Sequence, residues 1–194
     1  GDEYCAGGVF DDMPAASDWM HEGIDYCVLF GLMNGVGKNQ FDPMGQTTRA
    51  MFVSILYRMA DEPDVSELPE APFVDVSDDT WYTAAVRWAY ANKVVLGTDD
   101  THFAPDARLT RAQLVTMLYR AYGPEKGVRP RPIGGYTDWN TVPDWAYPAT
   151  TWAVSMGILY GTTRTELSPN TGANRAQLAL FMMRTCRLQG ELDS

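Results

Sequence analysis

The sequence predicts an all-α fold made of three helix–loop–helix repeats. Three observations predict it: a marker pattern recurring three times in register, two helical apolar faces in each copy, and a capping residue before each second face. The pattern is a Trp, a Gly sixteen residues on, then Pro and Arg eight and fourteen after that Gly. It runs Trp19, Gly35, Pro43, Arg49, then Trp81, Gly97, Pro105, Arg111, then Trp145, Gly161, Pro169, Arg175, with no insertion or deletion inside any window.

Each copy opens on an aromatic with an Asp close behind: Phe10 with Asp11 and Asp12, Phe73 with Asp75, Tyr136 with Asp138. Repeats are therefore expected at 10–60, 73–122 and 136–188. Two segments rich in Pro, Gly and charge separate them, Asp61 to Pro72 and Gly123 to Gly135, the latter including Arg129, Pro130, Arg131 and Pro132. Such composition reads as conformationally restricted linker rather than core.

The first helix of each copy is expected to start at the Trp. Apolar or small residues recur there at helical spacing, as in Trp19, Gly23, Tyr26, Cys27, Phe30 and in Trp145, Ala149, Trp152, Ala153, Met156. The middle copy, Trp81, Ala85, Trp88, Ala89, follows until Asn92 breaks it. A hydrophobic turn into Gly35, Gly97 or Gly161 comes next, then a short loop with Phe41 and Pro43, Phe103 and Pro105, or Leu167 and Pro169.

The second helix is expected to start at the arginine. Thr48, Thr110 and Asn174 precede it, each with a side-chain oxygen able to accept a backbone N–H. Gln113 and Gln177 complete a capping box three residues on, and Met51 breaks it in the first copy. Apolar residues then follow at plus 3, 4, 7 and 8: Phe52, Val53, Leu56, Tyr57; Leu114, Val115, Leu118, Tyr119; Leu178, Ala179, Met182, Met183. A further arginine column, Arg58, Arg120 and Arg184, reads as a structural complement to the negative helix end.

Composition gives 45% hydrophobic and 12% aromatic residues, enough for a core. Repeats this short bury little alone, so the three are expected to share one core. No run of about 20 apolar residues exists to insert in a membrane. The formal charge of −10 argues against nucleic acid as partner. Cys5, Cys27 and Cys186, like His21 and His102, fall at non-equivalent places, so no metal is expected; the cysteines fit one bridge with a leftover thiol or three free thiols. Asp75, Ser77 and Asp79 imitate a calcium loop, but its twelfth place is Val86 where Glu is required. Among 25 acidic residues no catalytic pair or Ser, His and Asp grouping stands out, so neither catalysis nor a cofactor is expected.

An aromatic with its Asp, a Trp, then Phe-Asp-Pro before Thr-Thr-Arg-Ala or Phe-Ala-Pro before Leu-Thr-Arg-Ala, resembles the S-layer homology domain. The resemblance covers nearly the whole chain, in the family's usual three copies. It implies a pseudo-threefold body in which one helix of each repeat joins a central bundle, with three grooves between neighbouring repeats. It further implies non-covalent attachment of exported bacterial proteins to the cell wall, outside the cell, through secondary wall polysaccharide carrying pyruvate ketals. Further domains of a larger exported protein are expected with it.

By the same resemblance the ligand contacts fall on Arg49, Arg111 and Arg175; Asp12, Asp75 and Asp138; Trp19, Trp81 and Trp145; and Gly35, Gly97 and Gly161. An arginine at a helix start can meet the ketal carboxylate, Trp its methyl and ring, Asp a hydroxyl or the arginine itself. Read from the residues alone, the same Trp is core, the Asp a cap and the Gly a turn. The chain departs from the family's Glu three residues past the arginine, with Met51, Gln113 and Gln177 there, and the third copy has Leu167 for Phe and Asn174 for Thr. Two other functions fit the scaffold: a protein interaction or adhesion module, and a tether to modified peptidoglycan.

Overall fold

The computed structural model describes residues 5–123 and 132–192. Six α-helices account for its regular structure, with short 3-10 turns and isolated β-bridges between them and no strand among the described residues. They are α1 (His21–Leu29), α2 (Arg49–Met59), α3 (Thr83–Ala91), α4 (Arg111–Tyr122), α5 (Tyr147–Ser155) and α6 (Arg175–Leu192). The all-α, helix–loop–helix expectation therefore holds. Of the second linker, residues 124–131, including Arg129, Pro130 and Arg131, lie outside the described residues.

The three second helices begin at the arginines because their caps work as the sequence implied. Thr48 accepts from Met51 N at 3.2 Å, and Thr110 and Gln113 form a complete capping box. Asn174 accepts from Gln177 N at 2.8 Å, while Gln177 accepts from Asn174 N at 3.3 Å. Arg58 and Arg120 sit in last turns, as expected, but α6 runs on to Leu192 and leaves Arg184 inside the helix.

The first helices correct the reading at their N-terminal ends. α1 starts at His21 and α3 at Thr83, so Trp19 and Trp81 precede their helices, and Trp145 lies in a 3-10 turn, Asp144–Ala146. None of α1, α3 and α5 has a side-chain cap; the local start signals present are Pro148 in the first turn of α5 and Glu22 in the first turn of α1. Phe30, also placed on the apolar face, is exposed at the end of α1.

The chain divides into two compact units that ignore the repeat boundaries. One holds Gly1–Thr47 and Ala173–Ser194, the other Thr48–Gly172. In the first, α1 packs against α6, its closest approach at Gly23, where an added Cβ would lie 2.9 Å from the Leu180 backbone. Ile24, Cys27, Leu178 and Ala179 form the buried seam. In the second, α2 packs on α3 and α4 on α5. Tyr57 meets Trp88 at a ring separation of 5.9 Å, and Tyr119 meets Trp152 at 5.5 Å. Every second helix thus buries its apolar face on the first helix of the next repeat, and the third repeat serves the first.

Candidate functional site

The same relay positions the arginines. Pro105 and Ala107 of the second repeat's loop accept the backbone N–H groups of Ala50 and Arg49, each at 3.0 Å. Pro169 and Thr171 accept from Ala112 and Arg111, and Pro43 and Gly45 accept from Ala176 and Arg175. With the cap taking the third N–H, the first turn of each helix has its donors filled. The backbone N–H groups at these starts are therefore already paired within the protein.

Each guanidinium reaches into the loop that caps its helix. Arg49 Nε donates to Phe103 O at 2.7 Å, Arg111 Nε to Leu167 O at 3.0 Å and Arg175 Nε to Phe41 O at 2.8 Å. Arg111 Nη2 also donates to Tyr160 O at 2.5 Å, and Arg175 Nη2 to Asn34 O at 2.6 Å, the carbonyls just before Gly161 and Gly35. Arg49 and Arg175 lie over the rings of Phe103 and Phe41, at 4.9 and 4.7 Å. The three arginines are only 8%, 3% and 6% exposed. Burial lowers the proton affinity of Arg49, the Arg120 charge lowers it further, and Asp75 opposes both. For Arg175, burial acts downward against the opposing fields of Asp42 and Asp12.

The early Asp residues grip the same loops from the other side. Asp12 accepts from Phe41 N and Asp42 N, both at 2.7 Å. Asp75 accepts from Phe103 N at 2.8 Å and Ala104 N at 2.7 Å, and Asp138 from Leu167 N and Ser168 N, both at 2.9 Å. The second residue of each pair is left-handed, with φ of 59° at Asp42, 56° at Ala104 and 52° at Ser168, which turns consecutive N–H groups toward one carboxylate. Burial raises the Asp75 and Asp138 carboxyls, but these N–H bonds outweigh it and leave both below the usual carboxylate value.

The glycines complete the arrangement through close approach. A Cβ on Gly97 would stand 2.6 Å from Phe73 Cε1 and 2.7 Å from His102 O, and one on Gly35 would stand 2.7 Å from Gln40 O while colliding with Phe10. On Gly161 it would collide with Thr163 O and lie 3.1 Å from Tyr136 Cε1. The aromatic that opens each repeat therefore lies over that repeat's own glycine.

Arginine, Asp and Gly are thus brought together around one loop per site. Trp19, Trp81 and Trp145 stand apart from that network, with no hydrogen bond or ring contact to it among the described residues. They are 54%, 66% and 55% exposed, so the core alternative fails for them and they present free aromatic surface. Sequence reasoning missed the loop carbonyls that the arginines bind, because carbonyls leave no residue signature.

Three in-register loops, each locked by an Asp of its own repeat and an arginine of the preceding one, are what the sequence comparisons meet. The S-layer homology domain matches at residues 9–51, 72–115 and 135–179. The chain belongs to this family. S-layer homology domains bind cell wall components, and the chain is a cell-surface, wall-associated one. It is 28% identical to an S-layer protein of Bacillus thuringiensis subsp. finitimus over 93% of its own length and 21% of that protein's. It is 27% identical to S-layer protein sap of Bacillus anthracis with the same coverage of each, and 26% identical to an amylopullulanase of Thermoanaerobacterium thermosulfurigenes over 90% of its length and 9% of the enzyme's. The chain therefore spans about a fifth or less of these relatives. No described helix is long and apolar enough to cross a membrane.

Proposed function

We propose that this S-layer homology chain is a non-catalytic anchor that binds pyruvylated secondary cell wall polysaccharide in the grooves beside Arg49, Arg111 and Arg175. The observation that carries the reading is the threefold recurrence of a buried guanidinium fixed at a loop between two repeats. Buried arginines whose donors are oriented by neutral loop carbonyls favour an anion in their grooves, and a carboxylate is the natural complement of a guanidinium. Trp19, Trp81 and Trp145 supply exposed rings for sugar faces, while Asp12, Asp75, Asp138, Gly35, Gly97 and Gly161 shape the loops rather than hold the ligand directly.

The formal charge of −10 does not oppose this, since a local positive groove binds an anionic polymer at some cost in association rate at low salt. That similar segments occupy 21% of an S-layer protein and 9% of an amylopullulanase supports an appended anchor whose chemistry is independent of its passenger. Co-sedimentation with purified wall sacculi, before and after removal of the secondary polymer, tests the reading. Binding should vanish with the polymer. Equal sedimentation with stripped sacculi points instead to peptidoglycan, and release of reducing sugar to an enzyme.

A further inference from the structure

Arg87 stands six residues past the opening Trp of the second repeat, where the other repeats have Asp25 and Thr151. From α3 it holds down the segment that precedes Phe73: Nε donates to Leu68 O at 2.9 Å, and Nη2 donates to Leu68 O and, at 3.3 Å, to Ser66 O. Asp25 makes a comparable hold in the first repeat, accepting from Gly7 N at 2.8 Å, whereas the Thr151 hydroxyl turns back on Tyr147 O and Pro148 O of its own helix. A cavity of about 210 Å³ lies between the segment pinned by Arg87 and the helix that pins it.

Three charged side chains line this cavity, Glu70, Asp78 and Arg87, and none neutralises another. Arg87 is committed to the Leu68 and Ser66 carbonyls and forms no ion pair with either acid, and neither carboxylate has a hydrogen-bond partner among the described residues. Arg87 Nη1 likewise has no acceptor there, so two N–H donors remain unused. The remaining wall is apolar, from buried Phe73 and Val86 and half-buried Val76. At about 30 Å³ per water the space equals roughly seven waters, which limits an occupant to a small molecule.

We propose that this cavity binds a small zwitterion, an α-amino acid with a compact apolar side chain. Its ammonium meets Glu70 and Asp78, its carboxylate takes the free Nη1 donors of Arg87, and its side chain lies on Phe73, Val76 and Val86. Each uncancelled charge then gains a partner of opposite sign beside apolar walls that strengthen the contact. A purely cationic ligand leaves the guanidinium unanswered, and a purely anionic one meets two carboxylates. The site is separate from the grooves beside Arg49, Arg111 and Arg175 and does not depend on their reading. Counted from the early Asp, the other repeats have Ala15 and Thr141 where this one has Asp78, and neither has a cation at the place of Arg87, so the charge pattern occurs once where the grooves recur three times.

The test titrates the intact chain with L-valine, with valinamide, which lacks the carboxylate, and with N-acetylvaline, which lacks the ammonium, following backbone amide resonances by NMR. The expected result is a saturable shift at Val76, Val86 and Arg87 with L-valine, and affinity roughly tenfold or more weaker for each analogue, the scale of one lost charged hydrogen bond. The double variant Glu70→Gln, Asp78→Asn should lose L-valine binding by a similar factor at unchanged melting temperature, since neither carboxylate holds the fold by a hydrogen bond. Arg87→Gln should lose binding too, but it also frees the linker, so the acid variant decides. Valinamide binding as well as L-valine makes the cavity a cation site and overturns the proposal, as N-acetylvaline binding equally well would by making it an anion site. Full affinity in the double variant, or no saturable shift with any of the three probes, also overturns it.

Discussion

Asp12 and Arg175 hold the same residue from its two ends: Phe41 donates its N–H to Asp12 at 2.7 Å and accepts at its carbonyl from Arg175 Nε at 2.8 Å. One partner comes from the start of the first repeat and the other from the third repeat's helix. The arginine is therefore part of the architecture. Arg175→Ala should cost about 1.5–3 kcal/mol for the lost charged hydrogen bond, with Phe41 O left unpaired. Denaturant titration measures this, and a loss under 0.5 kcal/mol by the same scale would show the bond to be ornamental.

Acid should loosen the loops through Asp75 and Asp138. Unfolded, these carboxyls titrate near 3.8, and folded they titrate lower because backbone N–H groups stabilise the charged form. The unfolded chain therefore binds protons first, so stability is intact above pH 3.8 and is lost as pH falls through the folded values. Thermal melts from pH 6 to 2 should show it. In Asp75→Asn the pH dependence should shrink while the neutral-pH melting temperature falls, since an amide turns an N–H donor toward Phe103 N or Ala104 N.

Gly161→Ala should destabilise by about 1–3 kcal/mol, the range for overpacking, because a Cβ there meets the backbone carbonyls of Thr163 and Glu166 rather than a flexible side chain. Gly134→Ala, where nothing lies within 4 Å, is the control and should be near neutral. Equal unfolding midpoints for the two variants would contradict the close-approach account.

Trp19, Trp81 and Trp145 separate binding from folding. Their exposure predicts that replacing any one by Ala changes stability by no more than about 0.5 kcal/mol. Wall sedimentation of the triple variant should nonetheless fall, as sugar faces lose their aromatic platforms. A triple variant that unfolds would return these residues to the core, and one that binds walls normally would remove them from the site.

The excised middle repeat, residues 73–122, should remain unfolded. α3 finds its packing partner in α2 and α4 in α5, both outside the fragment. Circular dichroism of the fragment should show little helix, and a cooperative melt would contradict the relay of helices.

How much of this was legible depended on whether the signal was local. The starts of α2, α4 and α6 were readable at Arg49, Arg111 and Arg175 because Thr48, Thr110 and Asn174 cap their own helices. The starts of α1, α3 and α5 were misplaced at Trp19, Trp81 and Trp145 because no cap marks them. The recurrence of Arg, Asp and Gly marked the site, but not that Asp12 and Arg175 share Phe41: an apolar face or an arginine declares what it needs, not which repeat supplies it. That Arg111 and Arg175 also reach the carbonyls of Tyr160 and Asn34 was invisible, since a backbone carbonyl leaves no residue signature.

The pairing of α1 with α6 has a consequence in time. A chain emerging N-terminus first presents α1 with Cys27 and Ile24 uncovered, and their cover, Leu178 and Ala179, arrives only with the last repeat. The α2–α3 and α4–α5 pairs can close as they appear, whereas α1 must wait for nearly the full length of the chain, the kind of distant pairing that slows folding. The final helix thus works as a latch, and a chain broken off before Arg175 can complete its central pairs but never its beginning.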